Sequence, residues 1–178
     1  MHLGSEIKLI FIGGHGAGKT SAISAISDIP INQTNLKIPE YNAIVHKENL
    51  NIIIDYGELS LSQRQKLRLY GVPGQGRFDY VWKMLTKNAI GLILLINNAG
   101  TDPFGELARS LDTCREIIGE LDTVIGITHA DTTSIPNLQS YQTYLQQRGI
   151  QLPLFLIDAR HHDNVMQLVQ TLIKKITP

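Results

Sequence analysis

The stretch that decides the fold is GGHGAGKT, residues 13–20, which follows the largely apolar run 7–12. Its glycines and its final Lys-Thr match the GxxxxGK[ST] pattern, in the required setting of a strand before the loop and a helix after it. In such a loop backbone N–H groups converge on phosphate oxygens, and the N-terminus of the following helix adds partial positive charge. The stretch predicts a phosphate cradle, for which an ordinary Gly-rich turn is the alternative. The residues of this cradle are Gly13, Gly14, His15, Gly16, Ala17 and Gly18.

Two polar side chains end the cradle and carry its chemistry. Lys19 supplies a point charge to the β and γ phosphates of a nucleoside triphosphate, and the Thr20 hydroxyl is placed to ligate Mg²⁺. The pattern alone does not say which nucleotide is bound.

The composition sets limits on partners and compartment. The chain has 178 residues, of which 43% are apolar, and this fits one domain over 1–178. Lys plus Arg and Asp plus Glu are 16 each, which argues against nucleic acid or an anionic membrane as a partner through a broad basic surface. Cys114 is the single cysteine, so no intramolecular disulfide forms. Neither a signal pattern nor a membrane anchor is visible, and we expect a cytoplasmic protein.

Strand and helix patterns alternate along the chain. This alternation predicts an α/β fold with a mostly parallel central sheet and helices on both faces. In such sheets ligands bind at the carboxyl ends of the strands. Residues 28–49 read as mostly irregular, 57–65 as a connection, and Asp102 and Asp163 as helix caps. The predicted strands are 6–12, 51–56, 66–70, 90–96, 123–128 and 154–157, and the predicted helices are 19–27, 104–118, 138–148 and 164–176.

Three more segments follow predicted strands: GVPGQGRF at 71–78, ITHAD at 127–131 and IDAR at 157–160. With them the chain resembles the small Ras-like GTPases of the P-loop NTPase fold. The Pro-Gly-Gln form is similar to a bacterial and archaeal branch that includes the gliding-motility polarity GTPases and predicted GTPases similar to the signal recognition particle receptor β-subunit. The resemblance implies that Gly74 binds the γ-phosphate and that Gln75 orients the attacking water, with Lys19 as the third catalytic group.

The same resemblance implies a pocket for the guanine base. A carboxylate at Asp131 would accept the N1–H and the exocyclic N2–H₂ of guanine together, a donor pair that adenine lacks. The backbone N–H of Ala159 would meet guanine O6. A plain turn-capping role for Asp131 is the alternative. The residues implied in this pocket are Thr128, His129, Asp131, Asp158, Ala159 and Arg160.

The chain departs from the family pattern at four places. Gly71 stands where the family has the Asp that holds the Mg²⁺ hydration shell, and His129 replaces a Lys. No Thr directly precedes the run 54–57, and Thr34 upstream is only a weak substitute for the first-switch Thr. His15 stands where the family commonly has Gly, which predicts slow hydrolysis or a partner that inserts no arginine there. A solvent-facing His15 without a role is the alternative.

Together these features predict a switch that binds GTP or GDP with Mg²⁺ and slowly hydrolyses GTP. Two alternatives stay open. His15, Gly71 and the missing first-switch Thr favour a non-hydrolysing nucleotide-binding scaffold, and an ATP-using P-loop kinase or ATPase is the other alternative. The resemblance also implies an effector and a regulatory or activating protein, which is of the roadblock type in that branch. His161 and His162 read as a helix entrance rather than a metal site, and Trp82 as a packing residue or a partner surface.

Overall fold

The fold is described from a computed structural model, which covers residues 7–39, 49–63, 65–73, 85–133 and 136–176. Seven strands form one sheet in the order β2-β3-β4-β1-β5-β6-β7. β2 and β3 run antiparallel to their neighbours, while β4, β1, β5, β6 and β7 are mutually parallel. The expectation of an α/β fold with a mostly parallel sheet is confirmed. The strands are β1 (Ile7–Gly13), β2 (Asn32–Pro39), β3 (Asn49–Ser62), β4 (Gln65–Pro73), β5 (Ala89–Asn97), β6 (Thr123–Thr128) and β7 (Leu154–Leu156).

Helices cover both faces of the sheet, because alternate residues of the central strands point to opposite sides. Leu9 and Phe11 of β1 belong to the core on one face, while Ile10 and Ile12 belong to the core on the other. α1 and α5 pack in the first core, and α2 and α4 in the second. None of the helices in the described part of the chain is both long and apolar enough to cross a membrane. The helices described are α1 (Lys19–Ile26), α2 (Pro103–Thr113), α3 (Arg115–Glu120), α4 (Leu138–Gln147) and α5 (His162–Ile176).

Two loop predictions on the β2–β4 side of the sheet are wrong. Asn32–Pro39 is a strand, because its backbone pairs antiparallel with β3, although its polar sequence shows no strand pattern of its own. β3 continues to Ser62, and β4 begins at Gln65, so the connection between them is far shorter than 57–65. Gly57 and Leu59 belong to β3 and are both buried, because alternate residues of a strand point to the same face of the sheet. Residues 40–48 lie outside the described part.

The helix predictions are confirmed in existence and corrected in detail. Asp102 caps α2, since its Oδ1 accepts a 2.8 Å bond from the Gly105 N–H. The helix predicted over 104–118 is divided at Cys114, which is buried and ends α2 while it begins α3. α5 starts at His162, so Asp163 lies within its first turn and the prediction of Asp163 as its cap is wrong.

Candidate functional site

The loop between β1 and α1 has a backbone that only glycine adopts readily. β1 ends at Gly13, and α1 begins at Lys19. Gly16 has a φ of +73° and Gly18 a φ of +90°, both in the left-handed region, where a Cβ is strained. These two residues turn the chain so that it enters α1 directly, and the loop lies at the helix N-terminus, where the partial charge is positive.

Packing joins this loop to the segments that follow β6 and β7. A Cβ on Gly18 would lie 2.9 Å from the Ala159 Cβ, so these two backbones approach closely. The buried Thr128 hydroxyl lies 3.1 Å from the carbonyl oxygens of both Ala17 and Ile96. Because the strands are parallel, their carboxyl ends meet at one edge of the sheet, and Thr128 and Ala159 are brought against the loop there.

The Lys19 side chain folds back over the loop. Its Nζ donates to the carbonyl oxygens of Gly13 and Gly14, at 2.8 Å each. Burial lowers the pKa of Lys19, and the nearby carboxylates of Asp55 and Glu106 oppose that shift. These two bonds hold the ammonium against the start of the loop, near two acidic groups.

A buried carboxylate meets the next residue of the helix. Thr20 Oγ1 donates to Asp55 Oδ2 at 2.6 Å, and Gln33 Nε2 donates to Asp55 Oδ1 at 2.9 Å. Asp55 is only 5% exposed, and a buried carboxylate needs hydrogen bonds to replace those it would make with water. Thr20 and Gln33 supply one bond to each of its oxygens. The hydroxyl and the carboxylate form a pair of hard oxygen groups beside Lys19, and such oxygens are the ligands that Mg²⁺ prefers.

Gly71 makes room for this carboxylate. Asp55 of β3 and Gly71 of β4 are direct cross-strand partners. A Cβ on Gly71 would lie 3.1 Å from the Asp55 Cβ, 3.2 Å from its Oδ2 and 2.9 Å from the Ile23 Cδ1. A side chain at position 71 and the carboxylate of Asp55 would therefore compete for one space. Asp55 lies within the run 54–57, to which the sequence patterns assign no functional role. The signal that marks it is a charged residue inside an apolar strand.

Glu106 is a second acidic residue that the sequence analysis missed. It lies in the first turn of α2, which follows β5. Burial raises the pKa of its carboxyl. The backbone N–H groups of Gly14 and Asn97 lower that pKa, but their effect is smaller than that of burial. Its Oε1 is buried and has no hydrogen-bond partner within the described ranges. Glu106 thus places a half-buried acidic group near Gly14 and the Lys19 ammonium. The signal for it in the sequence is an acidic residue in the first turn of the helix after β5.

Three charged side chains stand at the ends of β6 and β7. Arg160 donates to Asp158 through Nε (2.8 Å to Oδ1) and Nη2 (2.6 Å to Oδ2), and the same Nη2 donates to Asp131 Oδ2 at 2.9 Å. These bonds hold the pKa of Asp158 well below its usual range and raise that of Arg160. His129 has a left-handed φ of +59°, and its Nδ1 lies 2.9 Å from Thr128 Oγ1.

The described residues do not cover the whole of the predicted site. His15 is exposed on the loop. Gly74, Gln75 and Trp82 lie outside the described residues. His161 and His162 contact Asp158 and Asp163 at 3.5 and 3.0 Å, and the described part of the chain contains no cluster of three or more His, Cys, Asp or Glu suited to a metal ion.

No protein-family model matches the chain, and the search of curated proteins finds no match to it either.

Proposed function

We propose that this chain is a guanine-nucleotide switch of the small-GTPase type on a P-loop NTPase fold. It binds GTP or GDP with Mg²⁺ and slowly hydrolyses GTP to GDP and phosphate. The observation that carries the proposal is the contact between Thr20 and the buried Asp55 beside Lys19, at the N-terminus of a helix that follows a glycine turn. An ammonium, a hydroxyl–carboxylate pair and convergent backbone amides are the groups that a nucleotide–Mg²⁺ complex requires.

The phosphate end of the nucleotide would lie in the β1–α1 loop. The ammonium of Lys19 has three donors, and its bonds to Gly13 and Gly14 use two of them. The third donor is left for a phosphate oxygen. The loop amides and the helix N-terminus add positive potential at the same point.

Thr20 and Asp55 fit Mg²⁺. Mg²⁺ in nucleotide sites is held by one or two protein oxygens together with substrate phosphates and water. Asp55 supports the proposal because it occupies the space that Gly71 leaves open, and the resembled GTPases have their Mg²⁺-associated Asp at the position of Gly71. When bound, the ion neutralises charge on the phosphates. Thr20 and Asp55 would orient it from the protein side.

The base end would lie against the segments after β6 and β7. The close approach of Gly18 to Ala159 and of Ala17 to Thr128 supports one nucleotide that spans both parts of the site. The carboxylate of Asp131, with a half-exposed side chain, would accept the paired donors of guanine. Gly74 and Gln75 enter the proposal through the resemblance alone, as do a cytoplasmic location and a roadblock-type regulator.

Equilibrium titration of the purified protein with fluorescent GTP, GDP and ATP tests the binding. We expect both guanine nucleotides to bind at least about 100-fold more tightly than ATP, because a site built for a donor pair rejects an analogue without it. We expect Lys19→Ala to abolish binding. Lys66→Ala is the matched control, since Lys66 is an exposed lysine that pairs with Glu58. Preference for ATP, or no nucleotide binding, contradicts the proposal.

Single-turnover hydrolysis of GTP tests the reaction. We expect the wild-type protein with Mg²⁺ to convert bound GTP to GDP slowly, and the Gln75→Ala variant to be slower still. Tight GTP binding without hydrolysis, also with candidate regulators, would instead assign the non-hydrolysing scaffold.

A further inference from the structure

One guanidinium joins the two carboxylates beside the proposed base pocket. Arg160 donates hydrogen bonds to Asp158 through Nε and Nη2, and the same Nη2 donates to Asp131 Oδ2 at 2.9 Å. Asp131 belongs to the segment after β6 and Asp158 to the segment after β7. The arginine therefore links the two segments that the base would contact.

The guanidinium is anchored at its Asp158 end. Two parallel N–H···O bonds fix the plane of the guanidinium on Asp158, whereas Asp131 receives a single bond. Asp158 is itself held, because its backbone N–H donates to Asn164 Oδ1 at 2.9 Å on α5. The Asp158 side chain is 21% exposed and that of Asp131 is 47% exposed. Asp158 thus fixes Arg160, and Arg160 in turn fixes Asp131.

The contact with Arg160 leaves Asp131 able to bind a base. A carboxylate has two oxygens and about four acceptor sites, and Arg160 occupies one site on Oδ2. Oδ1 and the second site of Oδ2 remain for two donors. Without the arginine, Asp131 would face the carboxylate of Asp158 with no cation between them, and like charges would turn the two groups apart.

We propose that Arg160, anchored on Asp158, is a specificity-determining positioning residue that orients the Asp131 carboxylate toward the N1–H and 2-amino groups of guanine. This inference rests on the proposed function. It attributes the selectivity for guanine to three linked side chains, Asp158, Arg160 and Asp131, which we call the Asp158–Arg160–Asp131 relay. The pKa of Asp158 lies well below its usual range, so the anchor remains ionised at all neutral pH values. The ligand class is a purine nucleotide that carries both donors, as opposed to inosine nucleotides, which lack the 2-amino group.

The test compares dissociation constants for GDP and inosine diphosphate (IDP) in Arg160→Ala, Arg160→Lys and Asp158→Asn. In Arg160→Ala we expect GDP binding to weaken about tenfold or more, since the loss of even one charge-assisted hydrogen bond weakens binding by about that factor. IDP binding should weaken less, because IDP loses one contact with Asp131 where GDP loses two. Arg160→Lys keeps the charge without the fork and should give an intermediate loss, and so should Asp158→Asn, which loosens the anchor. Arg148→Ala is the control, an exposed arginine that stacks on Tyr144.

The measured affinities distinguish failure of the Arg160 inference from failure of the proposed guanine-nucleotide binding. A fall in the GDP-to-IDP preference of Arg160→Ala and Asp158→Asn, at an unchanged thermal unfolding midpoint, supports the relay. Tighter GDP binding in Arg160→Ala would show that the arginine blocks the pocket, and equal weakening for GDP and IDP would show a merely structural role; either result overturns the inference and leaves the proposed function standing. A wild-type protein that binds neither GDP nor GTP overturns both.

Discussion

Asp55 and Gly71 are cross-strand neighbours, and the absence of a side chain at Gly71 leaves space for the Asp55 carboxylate. The two face each other across the β3–β4 pair, and a Cβ on Gly71 would press on both Asp55 and Ile23. Only one of the two strands can therefore carry a side chain into this space. The carboxylate comes from β3, and Thr20 and Gln33 bond to both of its oxygens. Gly71, where the resembled GTPases have an Asp, thus coincides with an acidic group on the neighbouring strand.

Asp55→Asn tests whether this carboxylate serves a cation. Asn keeps the size of the side chain and an oxygen for the Thr20 hydroxyl, so we expect a folded protein. We expect the affinity for Mg²⁺ in the presence of GDP to fall about 10- to 100-fold, the usual loss when an oxygen near a metal is changed. GDP titrations over a range of Mg²⁺ concentrations, with a chelator as the zero point, measure this.

The exposed Asp112 on α2 supplies the control, as Asp112→Asn removes an equal charge away from the loop. If Asp55→Asn and Asp112→Asn show the wild-type dependence on Mg²⁺, Asp55 has no part in holding the ion.

Among the secondary-structure elements, sequence was a good guide where the signal lies within one contiguous segment. The strand Thr123–Thr128 matches its prediction because it is a buried apolar run, and the GGHGAGKT loop was recognisable because its residues are adjacent. β2 was missed because its polar residues form a strand only through pairing with β3. The juxtaposition of Asp55 and Gly71 arises only through the β3–β4 register. The contact between Arg160 and Asp131 arises only through the packing of two separate loops.

Glu106 lies in the first turn of α2, and the titration of its carboxyl is testable. Burial raises the pKa of its carboxyl above the ordinary 4.5. The folded protein then binds a proton more strongly than the unfolded chain, so this group's contribution to stability is present at low pH and is lost as pH rises above 4.5 through the folded pKa. Glu106→Gln imitates the neutral form and does not titrate.

Near pH 4 we expect Glu106→Gln and the wild type to have similar free energies of unfolding. As pH rises toward 7, the free energy of unfolding of Glu106→Gln should become larger than that of the wild type. Urea unfolding at several pH values gives this difference directly. Glu116→Gln on α3 serves as the control, since Glu116 is an exposed glutamate. A difference between wild type and Glu106→Gln that does not change with pH would contradict a raised pKa.

At the scale of the whole molecule, the candidate site is an assembly of loops at one edge of the sheet. The β1–α1 loop, the end of β6 and the segment after β7 touch through Ala17, Thr128, Gly18 and Ala159. β1, β6 and β7 are separated along the chain by the other strands and helices, so this edge exists only in the folded protein. A nucleotide that contacts all three segments would bind the folded chain and not the unfolded one.

A ligand that binds only the folded chain must raise the unfolding temperature, and the rise grows with the logarithm of the ligand concentration relative to its dissociation constant. At a GDP concentration 100 times its dissociation constant the gain is about 2.7 kcal/mol, which for a chain of this size corresponds to about 5–10 °C. We expect this rise with GDP and Mg²⁺, a smaller one for ADP at equal concentration, and none in Lys19→Ala. Lys66→Ala should respond as the wild type does. A scan of unfolding temperature against nucleotide concentration measures all four, and an equal rise with GDP and ADP would mean that the phosphates bind while the segments after β6 and β7 do not read the base.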